Sequence, residues 1–486
     1  MNKPAVGVRR PGPLSQDNLH PTTRITLTGL VSSVILGYVI TRPVSSGDVL
    51  YPALGVLTLL ACISLVRGIT PSREYTRLAA AVLLLGVWGT ALGVLMGNPG
   101  VDQVGLVWLG GAVIWGAWAA TFTLDGIRRT FLVVTVASIL LSLFILLYVA
   151  TQIGLVPHVI PDWMLAGQGA GIDSSDGTAV RAYGLSSLVI VTPIMTAAAI
   201  LGRRDDPYLP PRWLTALAAV LCLGAALLGG RRAIAVVALA TPLLIWVVKR
   251  VLLGAQRPLH IRPGIWALVP LSAIVLIWGA NTPVVMRAEQ EAIDAVSAYT
   301  GTYIPGAQLS VDDLVRLEQS DELLSSWSQS PVFGHGFGYV LDTGYYRSLL
   351  RPWAFELQYQ MLLMTTGLVG ALALAICLAL GVGLLRTAVR RAPQAIPAVV
   401  SAAVGAVSLL IANATNPYLQ AVGHQWGIAF TLGIANALLR DRPRRVAVQD
   451  HARGRTTPAM ASGRARRARR PTPRVLTSNV GRPRLG

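Results

Sequence analysis

Charge is what this sequence has least of. Asp, Glu, Lys and Arg make up 13% of its 486 residues while 53% are hydrophobic, about half the charged share of an ordinary soluble chain. A soluble domain is thereby excluded, and the class is an integral membrane protein. Cysteine is scarcer still. Cys62, Cys222 and Cys377 each lie inside an apolar run and far apart, which argues against both a disulfide framework and a thiolate metal cluster. No ionisable residue stands in the middle of an apolar run, so nothing marks a charged pathway through a bilayer. No internal repeat of the kind found in many transporters is visible. No small-residue cleavage pattern follows the first apolar run, which passes straight into Thr41-Arg42-Pro43; it reads as a retained span, not a removed signal peptide.

What is present is apolar runs of spanning length. They fall at 25–41, 49–66, 78–96, 104–121, 131–150, 184–202, 213–229, 233–248, 265–281, 355–385, 395–412 and 424–439, and predict an all-α, polytopic architecture of about twelve transmembrane helices. The formal charge of +19 would suggest nucleic acid in a soluble protein, but its distribution points to topology instead. With the N-terminus in the cytoplasm, 33 of the 41 basic residues fall on the inner side and 8 on the outer, while acidic residues divide 7 to 15 the other way. The reverse orientation would invert the positive-inside rule at nearly every loop. The expected organisation is a cytoplasmic tail at 1–24, a membrane domain at 25–440, and an Arg-rich, disordered cytoplasmic tail at 441–486. Membrane lipids are the expected partner of that basic tail, and nucleic acid is not.

Two outer segments exceed a turn: 151–183, rich in Gly and Ser, and 282–354, between spans nine and ten. In the second, Ser310 and Asp313 form a capping-box pattern, and Leu314, Leu317, Leu324 and Trp327 follow at roughly helical spacing. An amphipathic surface helix ending before Pro331 is expected there.

The polar residues gather at the outer span ends: Arg181 before span six, Arg231 and Arg232 in a tight hairpin, Arg316 in the long loop, Glu356 at the start of span ten. Arg231 and Arg232 break the positive-inside trend where any polar pair would turn the chain. A diphosphate explains them, since guanidinium forks match phosphate oxygens and a helix beginning at Arg232 adds backbone donors. Snorkelling to headgroup phosphates is the competing explanation. Glu356, flanked by Trp353, Phe355, Leu357 and Tyr359, sits in the apolar setting that suits a general base, although an acid opening a helix is common for helix-dipole reasons alone. Gly334-His335-Gly336-Phe337-Gly338 lacks the preceding strand of a phosphate-binding fingerprint; it is either a turn that brings backbone close to a ligand or a simple reversal. His335 within it is a candidate acid or base.

These residues resemble the O-antigen ligase and Wzy-type polysaccharide polymerase superfamily of bacterial membrane glycosyltransferases. Arg181-Ala182-Tyr183-Gly184 looks like its Arg before a Gly-containing span start, and Gly230-Arg231-Arg232-Ala233 like its Ser-Arg-small-Ala hairpin, with Arg231 the better match. Arg316, Trp327 and Pro331 to Gly338 look like its outer-loop pattern, closed by Gly367-Leu368-Val369-Gly370. The similarity covers about residues 180 to 370. Ligases of the family often carry His-Asn where Glu356-Leu357 stands; a Glu there is compatible with the polymerase branch, and a ligase moving finished glycan to another acceptor is the alternative within the family. The resemblance implies transfer of a glycan from a polyprenyl diphosphate donor to a sugar hydroxyl at the outer face of the cytoplasmic membrane, without metal or other cofactor. Glu356 would be catalytic and Arg181, Arg231, Arg232 and Arg316 would bind the diphosphate; a flippase and a chain-length regulator would be partner proteins. A lipid or solute exporter is the alternative of another class.

Overall fold

The structure, a computed structural model, describes residues 27–42, 47–152, 154–157, 171–173, 179–181, 187–228, 232–254, 311–346 and 348–440. The chain divides at Asp441 into two units. The expected tails, the ninth span and the start of the long loop lie outside the described residues.

The first helices are α1 (Leu27–Thr41), α2 (Gly47–Val66) and α3 (Arg73–Leu95). A short α4 (Val101–Gly105) continues through a π turn (Leu106–Gly110) into α5 (Gly111–Ala120), and α6 (Leu124–Gln152) follows. Where a Gly- and Ser-rich loop was expected at 151–183, two three-residue strands, β1 (Gly171–Asp173) and β2 (Ala179–Arg181), pair antiparallel with Gly171 opposite Arg181. Then come α7 (Leu188–Leu201), α8 (Arg212–Leu228) and α9 (Arg232–Leu253). The last four are α10 (Val311–Gln329), α11 (Gln358–Arg391), α12 (Ile396–Ala412) and α13 (Trp426–Arg440).

Among the described residues, seven helices are long and apolar enough to cross a membrane, and four more apolar helices have 10–17 residues. These eleven coincide with expected spans; twelve crossings are not reached by this count. The protein is thus a helical membrane protein by length and composition. Its burial pattern agrees. On α7 and α12 nearly every residue is buried, the mark of a helix packed on all sides. Small residues let these helices approach: a side chain at Gly405 would strike Ile194, and one at Gly427 would strike Ile190. Leu84, Leu140 and Leu372, on the peripheral α3, α6 and α11, are each more than half exposed, as lipid-facing residues would be. Buried hydroxyls bond one turn back along their own helices, Thr135 to the Phe131 carbonyl at 2.7 Å and Ser401 to that of Pro397 at 2.8 Å, which satisfies them where water is absent.

One end of the bundle is closed by single polar side chains on helix termini. Ser72 Oγ accepts from Tyr75 N at 3.3 Å and Glu74 lies in the first turn of α3, both favourable at a helix N-terminus. Buried Asn436 accepts from Ser72 N at 2.8 Å and donates to the Ala119 and Ala120 carbonyls at 3.2 and 3.0 Å. Arg440 Nη2 donates to the Phe122 carbonyl at 2.6 Å, and the Glu74–Arg391 pair is looser, at 3.9 Å. The opposite end, where α3 finishes and α4 and α11 begin, is built differently.

Candidate functional site

The apolar run at 355–385 predicts one uninterrupted span. Instead α11 starts at Gln358, after Glu356, and breaks at Gly367, whose φ of 62° and ψ of −164° are not helical. A break inside a membrane helix orphans carbonyls on one side and N–H groups on the other. The segment after Pro331 takes up both sets. Leu368 N and Val369 N donate to the Pro331 and Val332 carbonyls at 2.9 and 3.1 Å, while His335 N and Gly336 N donate to the Met364 and Thr365 carbonyls at 3.0 and 2.7 Å.

The same segment threads against α3 and the start of α4. Phe337 N donates to the Gly89 carbonyl at 2.9 Å, Gly100 N to that of Gly338 at 3.2 Å, and Asn98 Nδ2 to those of His335 and Phe337 at 2.7 and 3.0 Å. Gly334, Gly336 and Gly338 have φ of 76°, 81° and 77°. A Cβ on Gly336 would run into the Gly93 backbone, and one on Gly338 into Gly100 and Val101. The glycines therefore serve close approach of the chain to itself. His335 Nε2 lies 2.9 Å from the Ser326 carbonyl and so carries the proton of that contact, and the ring stacks on Tyr339 at 4.3 Å. Burial, and then the neighbouring Asp342 that its hydroxyl bonds at 2.9 Å, raise the Tyr339 pKa.

Glu356 is fixed from several sides. Its Oε2 accepts from Arg316 Nε at 2.7 Å; the glutamate side chain is 13% exposed and the arginine 28%. Gln319, fully buried and one turn along α10 from Arg316, accepts from both Glu356 N and Leu357 N, at 2.8 and 3.0 Å. Gln420 Nε2 holds the preceding Phe355 carbonyl at 3.1 Å, and Gln360 Nε2 donates to Ser320 Oγ at 2.9 Å. Phe355 and Leu323 are fully buried beneath. One acceptor, Gln319 Oε1, thus meets the two N–H groups just ahead of α11, and a guanidinium meets the carboxylate.

Helix α10 lies where the amphipathic helix was expected, with Trp327 of the expected face packed against the local core and Leu317 half-buried, but its most buried positions are others. Gln319, Leu323 and Ser326 are buried, whereas Leu314 and Leu324 are exposed. The reason is its partner: it packs on the polar main chain around Glu356, and amides match those groups better than leucines do. The expected Ser310–Asp313 cap lies outside the described residues.

Of the six site residues expected from sequence, the structure brings Arg316 and Glu356 together and places His335 beside α10. Arg181 stands at the end of β2 and Arg232 at the start of α9; their side chains, and Arg231 altogether, lie outside the described residues. Gln319, Gln420 and Asn98 were missed, since a lone amide makes no local pattern. Arg42, at the end of the first apolar run, is a further buried charge. It is 5% exposed and packs on Gly423 so closely that a side chain there would overlap the guanidinium; burial lowers its pKa. An arginine on the expected outer side was the available signal, the same one that singled out Arg231. Among the described residues, no group of three or more His, Cys, Asp or Glu could hold a metal ion. No protein-family model matches the chain, and no curated protein matches it.

Proposed function

We propose that this protein is a membrane glycosyltransferase that polymerises, or ligates, polyprenyl-diphosphate-linked oligosaccharide at the outer face of the cytoplasmic membrane. The observation that carries the reading is the 2.7 Å contact between Arg316 and Glu356, with the Glu356 main chain held by Gln319. Glycosyl transfer from a diphosphate needs a base for the acceptor hydroxyl and a cation for the leaving group. Glu356 Oε takes the hydroxyl proton as the acceptor oxygen bonds to the anomeric carbon. The bond from that carbon to the diphosphate oxygen breaks, the diphosphate leaves with the electron pair, and Arg316 stabilises its charge, with Arg181, Arg231 and Arg232 as the further diphosphate ligands.

The test is turnover of a lipid-linked oligosaccharide repeat by the purified protein in liposomes. Glu356→Gln keeps size and hydrogen bonding but removes the base, and should slow transfer by about 10²- to 10⁴-fold. Wild-type turnover by that variant would place the base elsewhere. Orientation is checked in intact cells by an impermeant thiol reagent on Ser310→Cys, which should label, and on Ser462→Cys, which should not.

One observation favours a second reading, a lipid or solute exporter: helices broken near a site are common in transporters. It predicts translocation of a lipid-linked glycan with no new glycosidic bond, so product analysis in the same liposomes separates the two.

A further inference from the structure

Both halves of the proposed chemistry meet in one ion pair, and as they stand they cancel. While Arg316 spends its charge on Glu356, that charge is withheld from a leaving diphosphate, and Glu356 Oε2 is occupied as an acceptor. We propose that Glu356 holds, on the guanidinium of Arg316, the place of a phosphate oxygen, and that the donor diphosphate displaces it and thereby releases the base. This rests on the reading of the site as a diphosphate-dependent transferase.

Three features support the exchange. A guanidinium donates to carboxylate and phosphate oxygens in the same geometry, and the more highly charged diphosphate is the stronger competitor. The main chain under the carboxylate is held independently of the pair: Gln319 bonds both Glu356 N and Leu357 N, and Gln420 bonds the Phe355 carbonyl, so it stays when the partner leaves. Arg316 reaches the pair from α10 on a long side chain that is 28% exposed, against 13% for Glu356. The mobile member is therefore the cation, and the base stays in place. The donor must then bind before the acceptor is deprotonated, and an enzyme without donor holds no liberated base.

The experiment is binding of a glycan-free polyprenyl diphosphate to the full chain in nanodiscs of zwitterionic lipid. A competitor inside the site lowers apparent affinity by the fraction of molecules in which Arg316 is engaged. Glu356→Gln should therefore bind about three- to tenfold more tightly than wild type. Arg316→Ala should bind more weakly, and the double variant should bind no better than Arg316→Ala alone. Equal or weaker binding by Glu356→Gln overturns the exchange while leaving the transferase reading intact. No binding by the wild type overturns that reading itself. The same tightening towards phosphatidylglycerol in place of the diphosphate would make headgroup phosphate the ligand and overturn the donor assignment. A measurement on unmodified protein guards against a variant that misfolds: carbodiimide labelling of Glu356, read by mass spectrometry, should rise when the diphosphate is added. Unchanged or lower labelling overturns the proposal.

Discussion

The two ends of the helical bundle solve the same problem, unsatisfied helix termini, by different means. At the end marked by Asn436 and Arg440, side chains on the helices themselves meet the last carbonyls and the first N–H groups. At the end marked by Glu356, the chain spends a whole segment, residues 331–338, and three amides on main-chain groups, and sets an arginine–glutamate pair in the middle. A cap needs only one well-placed residue. A segment threaded between three helices holds main chain in a fixed position over a distance, which is what a site needs and a terminus does not.

The comparison breaks most severely at Gly336. Its positive φ and contact with Gly93 leave no room for a Cβ, so Gly336→Val should destabilise by more than about 3 kcal/mol and abolish monodisperse protein on extraction. Recovery of a normal elution profile would show that the threaded loop is dispensable. At the far end, Asn436→Leu strands Ser72 N and takes one donor each from the Ala119 and Ala120 carbonyls, which keep Phe122 N and Arg440 Nη1. Its cost should be about 2–3 kcal/mol, read as a lower melting temperature in detergent, with turnover per folded molecule unchanged. Lost turnover in that variant would mean that the ends are not independent. The smallest effect belongs to Glu74→Gln: its pair with Arg391 is long and well exposed, and such pairs contribute about 0–1 kcal/mol. A melting temperature within error of wild type is expected.

The same division separates what could be read from the sequence. Apolar runs are visible because bilayer thickness sets their length, and eleven of the expected spans coincide with helices. Arg316 and Glu356 stood out because charge is rare in this chain. Their pairing did not, since forty residues separate them and no period links a helix face to a loop. The break at Gly367 was hidden too: Gly367-Leu368-Val369 is as apolar as an unbroken helix, and the interruption comes from hydrogen bonds offered by residues 331–336. Gln319 was invisible because the pattern around it favoured the leucines, of which the structure turns Leu314 and Leu324 outward. Its value lies in two N–H groups more than thirty-five residues downstream.

The break in α11 also bears on how the chain assembles. The nine residues of Gln358–Thr366 make a helix too short to hold a transmembrane position alone, where about twenty are needed. Their exposed carbonyls find partners only once residues 335 and 336 have docked, and that segment in turn leans on Gly89 and Asn98, some 240 positions earlier in the chain. Contacts of such sequence separation form late, after the intervening helices have been inserted and packed. The Arg316–Glu356 region is thus completed only when elements some 240 positions apart have come together, and a chain arrested before that would carry its early spans without this end of the bundle.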